Sequence, residues 1–149
     1  MRIFDSFPFD GELDLLEFRL RENFDQVDHF ILVEAAVSYR GAPKRFSFEE
    51  NAERFAWARA KIRHVKLDGL GPGPTARERA AVQRNASRLA LDDSAPDDVV
   101  LLLDVDEVPA RPLLERLRRE GLAEPRRLAM TRHYGFADLL APRSPCCPT

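Results

Sequence analysis

Short apolar segments alternate with amphipathic helical segments along most of the chain, and this alternation limits the possible folds more than any other feature. Segments rich in aromatic and β-branched residues, which are typical of strands, occur at residues 2–9, 29–37, 63–68, 99–103 and 126–136. Strands that alternate with helices favour an α/β fold, in which a mostly parallel sheet is flanked by helices.

Apolar residues at helical spacing predict where the helices lie and which faces they bury. The first predicted helix follows Asp10, and three more cover about residues 49–62, 77–91 and 113–120. Asp10 is the expected N-cap of the first helix, in which Arg19 lies off the apolar stripe. Ser47 and Glu50 match a capping box. Four residues of the third helix are predicted to face inward: Val82, Ala86, Leu89 and Ala90.

Charge and apolar content exclude several classes of protein. The chain has 23 basic and 25 acidic residues and a net charge of −2, which argues against a general nucleic-acid binder. No segment approaches the ~18 consecutive apolar residues of a membrane span, and the N-terminus lacks the apolar core of a signal peptide. A cytoplasmic location is therefore expected. The pattern ends near Gly135, so residues 1–135 are predicted to form one domain and 136–149 an irregular tail.

Three carboxylates, Asp104, Asp106 and Glu107, directly follow the apolar segment 99–103. In a parallel sheet they would lie at the carboxyl edge, where ligands bind. Extended chain would send Asp104 and Asp106 to the same side, and oxygen ligands suit Mg²⁺ or Mn²⁺. The segment is equally compatible with an acidic exit from the strand that caps the next helix.

Two kinds of metal site fit an Asp-x-Asp motif after a strand. One is the site of a nucleotide-sugar transferase, in which the cation bridges the diphosphate. The other is the site of a haloacid-dehalogenase-type phosphatase, in which the first aspartate is a nucleophile and the second a general acid. That phosphatase family usually has Gly-Thr after the motif, close to the N-terminus. Here Glu107 and Val108 follow, and most of the chain precedes the motif, so the transferase is the preferred interpretation.

Six segments, in order, resemble the family-17 glycosyltransferases. They are FDGELDLLEFRL (9–20), VDHFILVEA (27–35), GAPKRFSFEENAERF (41–55), KIRHVKLD (61–68), QRNA (83–86) and PDDVVLLLDVDEVP (96–109). The resemblance implies a GT-A-like, Rossmann-type fold that is incomplete at the C-terminus. It also implies transfer of a sugar with inversion, from a nucleotide sugar, expected to be UDP-GlcNAc, to a glycan acceptor.

The resemblance also implies roles for individual residues. Asp104 and Asp106 would be the ligands of Mn²⁺ or Mg²⁺ and of the diphosphate, with Glu107 in support. The other donor-binding candidates are Glu12, Glu34, Arg84 and Asn85. Each also has a structural alternative: helix N-terminal charge for Glu12, a buried partner for Glu34, and an ion pair or packing hydrogen bond for Arg84 and Asn85. No general base is assigned.

The chain departs from the family pattern by about Phe136, whereas the family continues into an acceptor-binding half. We therefore expect a truncated product that retains the donor-binding half. The alternative is a non-catalytic fragment that binds nucleotide or metal weakly.

Overall fold

The computed structural model describes residues 1–71 and 75–130. The described residues form four strands, β1 (Ile3–Phe9), β2 (His29–Ala35), β3 (Ile62–Leu67) and β4 (Val99–Leu102). They also form four α-helices, α1 (Leu13–Asn23), α2 (Ser47–Glu50), α3 (Ala76–Asn85) and α4 (Arg111–Glu120). Two 3₁₀ helices, Ala52–Lys61 and Ala86–Ala90, follow α2 and α3.

All four strands are parallel and lie in the order β3-β2-β1-β4. The predicted α/β fold with a parallel sheet is thereby confirmed. β1 lies between β2 and β4, and Phe4 pairs with His29 on one side and Val100 on the other. Within the described chain β4 is an edge strand, and Leu102 at its end is 56% exposed.

Apolar side chains cover both faces of the sheet, because successive residues of a strand point to opposite sides. One core contains Ile3, Phe7 and Phe9 of β1, packed with residues of α1 and α4. The other contains Phe4 of β1 with Ile31 and other residues of β2, β3 and the 3₁₀ helix after α3. The result is a three-layer arrangement in which helical segments pack against both faces of the sheet.

The two central helical segments differ from their predictions. The segment predicted as a helix over 49–62 consists of the single-turn α2 and a 3₁₀ helix. The helix predicted at 77–91 changes to 3₁₀ geometry at Ala86. A 3₁₀ helix turns 120° per residue instead of 100°, so the inward face shifts. Leu89, in the 3₁₀ segment, is consequently exposed. Within α3 itself Val82 is exposed and Gln83 is buried, where its side-chain amide donates to the carbonyl oxygens of Phe9 and Val33.

Arg19 of α1 is fully buried, which contradicts its predicted position off the apolar stripe. Its guanidinium forms an ion pair with Asp5 of β1, and the Nη2 to Oδ1 distance is 2.6 Å. A charge survives burial only when it is paired and hydrogen-bonded. The helical pattern places Arg19 next to the buried stripe, and the carboxylate on the strand makes its burial possible.

The N-cap predictions were also wrong. Glu12, not Asp10, occupies the N-cap position of α1 and makes no side-chain cap. Likewise, Ser47 is the first residue of α2, and no side-chain hydrogen bond caps that helix from Phe46. The amide groups of Ser47 and Phe48 instead donate to the carboxylate of Glu34, at 2.6 and 3.3 Å. A buried carboxylate of β2 therefore replaces the predicted capping box.

Glu34→Gln is expected to destabilise the protein by about 2 kcal/mol, because it removes the charged acceptor from the amides of Ser47 and Phe48. His64 Nε2 also lies 3.1 Å from this carboxylate. The free energy of unfolding in urea measures the effect. Any affinity for UDP, which the family resemblance leads us to expect, should stay within about twofold of the wild type, since Glu34 does not line the cavity at the strand ends. A variant of normal stability with weakened UDP binding would instead support the predicted donor-binding role.

Two further predictions concern membrane spans and a fifth strand. No helix in residues 1–71 and 75–130 is long and apolar enough to cross a membrane. The predicted fifth strand was wrong over 126–130, where the backbone forms no strand. Its remainder, and the predicted tail, lie outside the described residues.

Candidate functional site

A cavity of about 410 Å³ opens at the carboxyl ends of the strands. It lies beside the point where the strand order reverses, since the chain adds β2 and β3 on one side of β1 and β4 on the other. Open α/β sheets bind ligands at this position. The residues that line the cavity come from the ends of β1, β2 and β4 and from two helices: Pro8, Asp10, Glu12, Leu15, Tyr39, Ala80, Arg84, Asp104, Val105 and Asp106.

The Asp-x-Asp segment is a turn, not the continuation of β4 that the sequence suggested. β4 ends at Leu102, and the amide of Glu107 donates to the carbonyl oxygen of Asp104 at 3.0 Å. The Glu107 carboxylate accepts from the Asp104 amide at 2.9 Å. This segment, residues 104–107, is called the acidic turn below. Both Asp104 and Asp106 line the cavity, although not by strand alternation.

Arg84 of α3 contacts a side chain of the acidic turn. Its guanidinium forms an ion pair with the Asp104 carboxylate, and each side chain is 46% exposed. Both groups can therefore reach a ligand in the cavity. An exposed pair of this kind contributes little to stability, so exchanging it for contacts with a ligand costs little.

Tyr39 forms the wall of the cavity beyond β2. Burial, together with the negative charges of Asp10, Glu12 and Asp104, raises the pKa of Tyr39 to about 12. The phenol therefore stays protonated at neutral pH and can donate a hydrogen bond. Arg79 of α3 donates to the Tyr39 carbonyl oxygen at 2.7 Å, which fixes this loop against the helix.

The predicted site residues divide into two groups. Asp104, Asp106, Arg84 and Glu12 line one cavity. Glu107 is adjacent, with its carboxylate used inside the acidic turn. Glu34 is buried away from the cavity beneath α2, and Asn85 is exposed at the end of α3 without lining it.

The donor set of the acidic turn fits a hard divalent cation. Asp104 and Asp106 supply two carboxylates, and Mg²⁺ is commonly held by one or two carboxylates plus substrate phosphates and water. Asp10 and Glu12 add further negative charge to the cavity. No cluster of three potential ligands from His, Cys, Asp or Glu exists among the described residues. A cation here would therefore need oxygen atoms from a ligand.

Sequence reasoning missed Arg19 as a residue of the site. Its Nη1 group donates to the carbonyl oxygens of Asp104 and Glu107 at 2.7 and 2.9 Å. It also donates to the carbonyl oxygen of Val105 at 3.1 Å. The signal in the sequence was weak: an aspartate inside the first strand, which implies a buried cationic partner.

Residues 1–137 match the family model described as glycosyltransferase family 17. Three similar curated proteins carry the name beta-1,4-mannosyl-glycoprotein 4-beta-N-acetylglucosaminyltransferase. The rat and human proteins are 32% identical over 147 aligned residues, and the mouse protein is 31% identical.

These matches cover 91% of this chain but 27% of each relative. The chain thus spans about a quarter of the length of the relatives that it matches. No solved structure matches.

Proposed function

The chain belongs to glycosyltransferase family 17, and from that membership we propose that it acts on a nucleotide sugar bound at the acidic turn. The observation that carries the proposal is the meeting of Asp104, Asp106 and Arg84 in one cavity at the strand-order reversal. Two carboxylates beside a guanidinium can hold a cation and a diphosphate together.

Asp104 and Asp106 would hold Mn²⁺ or Mg²⁺. A cation held by these two carboxylates would supply positive charge against the negative charge that develops on a departing nucleoside diphosphate. Arg84 can then leave Asp104 and donate to a phosphate oxygen, since guanidinium groups bind phosphate through paired hydrogen bonds. The protonated Tyr39 hydroxyl would supply a neutral hydrogen-bond donor in the same cavity. Glu107 keeps the turn closed through its bond to the Asp104 amide.

The proposed donor is UDP-GlcNAc, and the proposed acceptor is a glycan, with inversion at the transferred sugar. The names of the rat, human and mouse relatives support N-acetylglucosamine and a mannosyl glycoprotein. Family membership also favours the transferase over the phosphatase alternative.

Calorimetric titration with UDP, in the presence and absence of Mn²⁺, tests the donor site. We expect binding that strengthens at least about tenfold with Mn²⁺. Equal binding with and without Mn²⁺ would contradict the metal-bridged diphosphate. A turnover assay with UDP-GlcNAc and a mannosyl glycopeptide separates catalysis from binding. Metal-dependent binding without turnover would support the alternative of a non-catalytic nucleotide-binding fragment.

Arg84→Ala is expected to change the affinities for UDP and for Mn²⁺ in opposite directions. UDP affinity should fall about tenfold, because one charge-assisted hydrogen bond to phosphate is lost. Affinity for Mn²⁺ alone should rise a few-fold, because Asp104 no longer has a competing cation. Calorimetry measures both quantities.

Arg88→Ala is the matched control for Arg84→Ala. Arg88 is an exposed arginine four residues further along the chain that does not line the cavity. It should leave both affinities unchanged. Equal losses of UDP affinity in the two variants would indicate a general effect of positive charge and would contradict a direct contact of Arg84 with phosphate.

A further inference from the structure

A buried arginine lies directly beneath the acidic turn. Arg19 is fully buried, and its Nε and Nη2 groups donate to the two carboxylate oxygens of Asp5 at 2.8 and 2.6 Å. The guanidinium carbon also lies 4.5 Å from the centre of the Phe7 ring. Two residues of β1 therefore hold the guanidinium in one orientation.

The remaining side of the same guanidinium faces the turn. Nη1 donates to the carbonyl oxygens of Asp104, Val105 and Glu107 at 2.7, 3.1 and 2.9 Å. Three carbonyl groups from four consecutive residues thus converge on one nitrogen. Because these carbonyl groups point inward to Arg19, the backbone of the turn is fixed from below, while the Asp104 and Asp106 side chains line the cavity.

A structural ion pair alone does not require this arrangement. The Asp5 carboxylate already neutralises Arg19, and an ion pair between α1 and β1 would join those two elements without the turn. The contacts with the turn link residues 85 to 88 positions apart in the chain. Each carbonyl oxygen gains a charged donor, and such bonds are stronger than those between neutral groups.

We propose that Arg19 is a positioning residue for the cation site, and this inference rests on the proposed function of the acidic turn. By holding the three carbonyl groups, Arg19 fixes the backbone positions from which Asp104 and Asp106 reach a shared cation. Residues that orient metal ligands in this way commonly change metal affinity 10- to 100-fold when they are replaced.

Lysine cannot substitute for arginine in this role. Its ammonium group has three donors at a single point, whereas the guanidinium spreads five donors over a plane. An ammonium near Asp5 would keep the buried charge paired but would lose the bonds to the turn. Arg19→Lys therefore separates charge pairing from positioning.

The experiment compares wild type, Arg19→Lys and the double variant Asp5→Val/Arg19→Met. The double variant removes both buried charges and fills the space with apolar groups, a change that often preserves stability. Two measurements are made on folded protein: UDP affinity with and without Mn²⁺, and hydrogen exchange of the Asp104 and Glu107 amides. Both amides are hydrogen-bonded within the turn.

We expect both variants to lose at least about tenfold in Mn²⁺-dependent UDP affinity, with metal-free affinity within about twofold. The Asp104 and Glu107 amides should exchange at least about tenfold faster, while amides of β2 keep their wild-type rates. Wild-type Mn²⁺-dependent affinity in a folded variant would overturn the proposal.

The same experiment distinguishes failure of this inference from failure of the proposed function. If the wild type shows no Mn²⁺-dependent binding, the proposed function fails and the exchange rates alone decide whether Arg19 holds the turn. Unchanged rates in Arg19→Lys would overturn that role, and faster rates restricted to the turn would retain it.

Discussion

Asp106→Asn is expected to abolish the Mn²⁺-dependent part of UDP binding and to leave the fold intact. Asp106 is exposed in the acidic turn, so the amide replaces the carboxylate without burying a polar group. The amide oxygen carries no formal charge, and it leaves Asp104 as the one carboxylate of the Asp-x-Asp motif. We expect Mn²⁺-dependent affinity to fall by about 100-fold or more, measured by calorimetry with UDP.

Asp25→Asn is the matched control for this prediction. The Asp25 side chain is 71% exposed and lies 3.7 Å from Arg111, and it does not line the cavity. The same change of charge there should leave UDP and Mn²⁺ affinity at wild-type values. If Asp106→Asn retains full Mn²⁺-dependent binding, the cation does not use this motif, and the proposed donor site is wrong.

The largest effect on stability is expected from Arg19→Met, which should lower the free energy of unfolding by about 3–5 kcal/mol. Methionine fills similar space but leaves the Asp5 carboxylate buried without its cation. It also removes the Arg19 hydrogen bonds to three carbonyl groups of the acidic turn. For a domain of this size the melting temperature should fall by about 10 °C, as measured by circular dichroism.

The double variant Asp5→Val/Arg19→Met is the control for buried charge. It should recover most of the lost stability, because no unpaired charge remains. The difference between the two variants gives the cost of the isolated Asp5 carboxylate. Equal destabilisation in both variants would show that the bonds to the turn and the packing, not the charge pair, determine stability here.

The sheet could be predicted from the sequence because its signals are local. The segments that became β1 to β4 are short apolar runs, and the helices between them imply parallel order. The position of β4 at the edge of the described sheet could not be predicted. An apolar run has the same composition at the centre and at the edge, and the exposure of Leu102 depends on its neighbours.

The site was predicted less completely, and the errors share one cause. Motif and family resemblance marked Asp104, Asp106 and Arg84, and the structure places these three residues around one cavity. Arg19 was assigned to the surface because charge normally indicates exposure. Its partner on β1 becomes visible only when helix and strand pack together. Similarly, Ser47 and Glu50 match the local pattern of a capping box, but the prediction was wrong because a carboxylate from β2 accepts from the Ser47 amide instead.

The position of β4 beside β1 has a consequence for how the molecule assembles. β1, β2 and β3 are neighbours in sequence order, so they can pair as the chain is synthesised. β4 must return across the whole preceding chain to pair with β1, for example Val99 with Ile3. Closing so long a loop is slow, because its entropy is lost before its contacts form. The acidic turn follows β4, so it contacts Arg19 only when β4 has paired with β1. Binding at the proposed nucleotide site would therefore require that the last strand of the described sheet is in place.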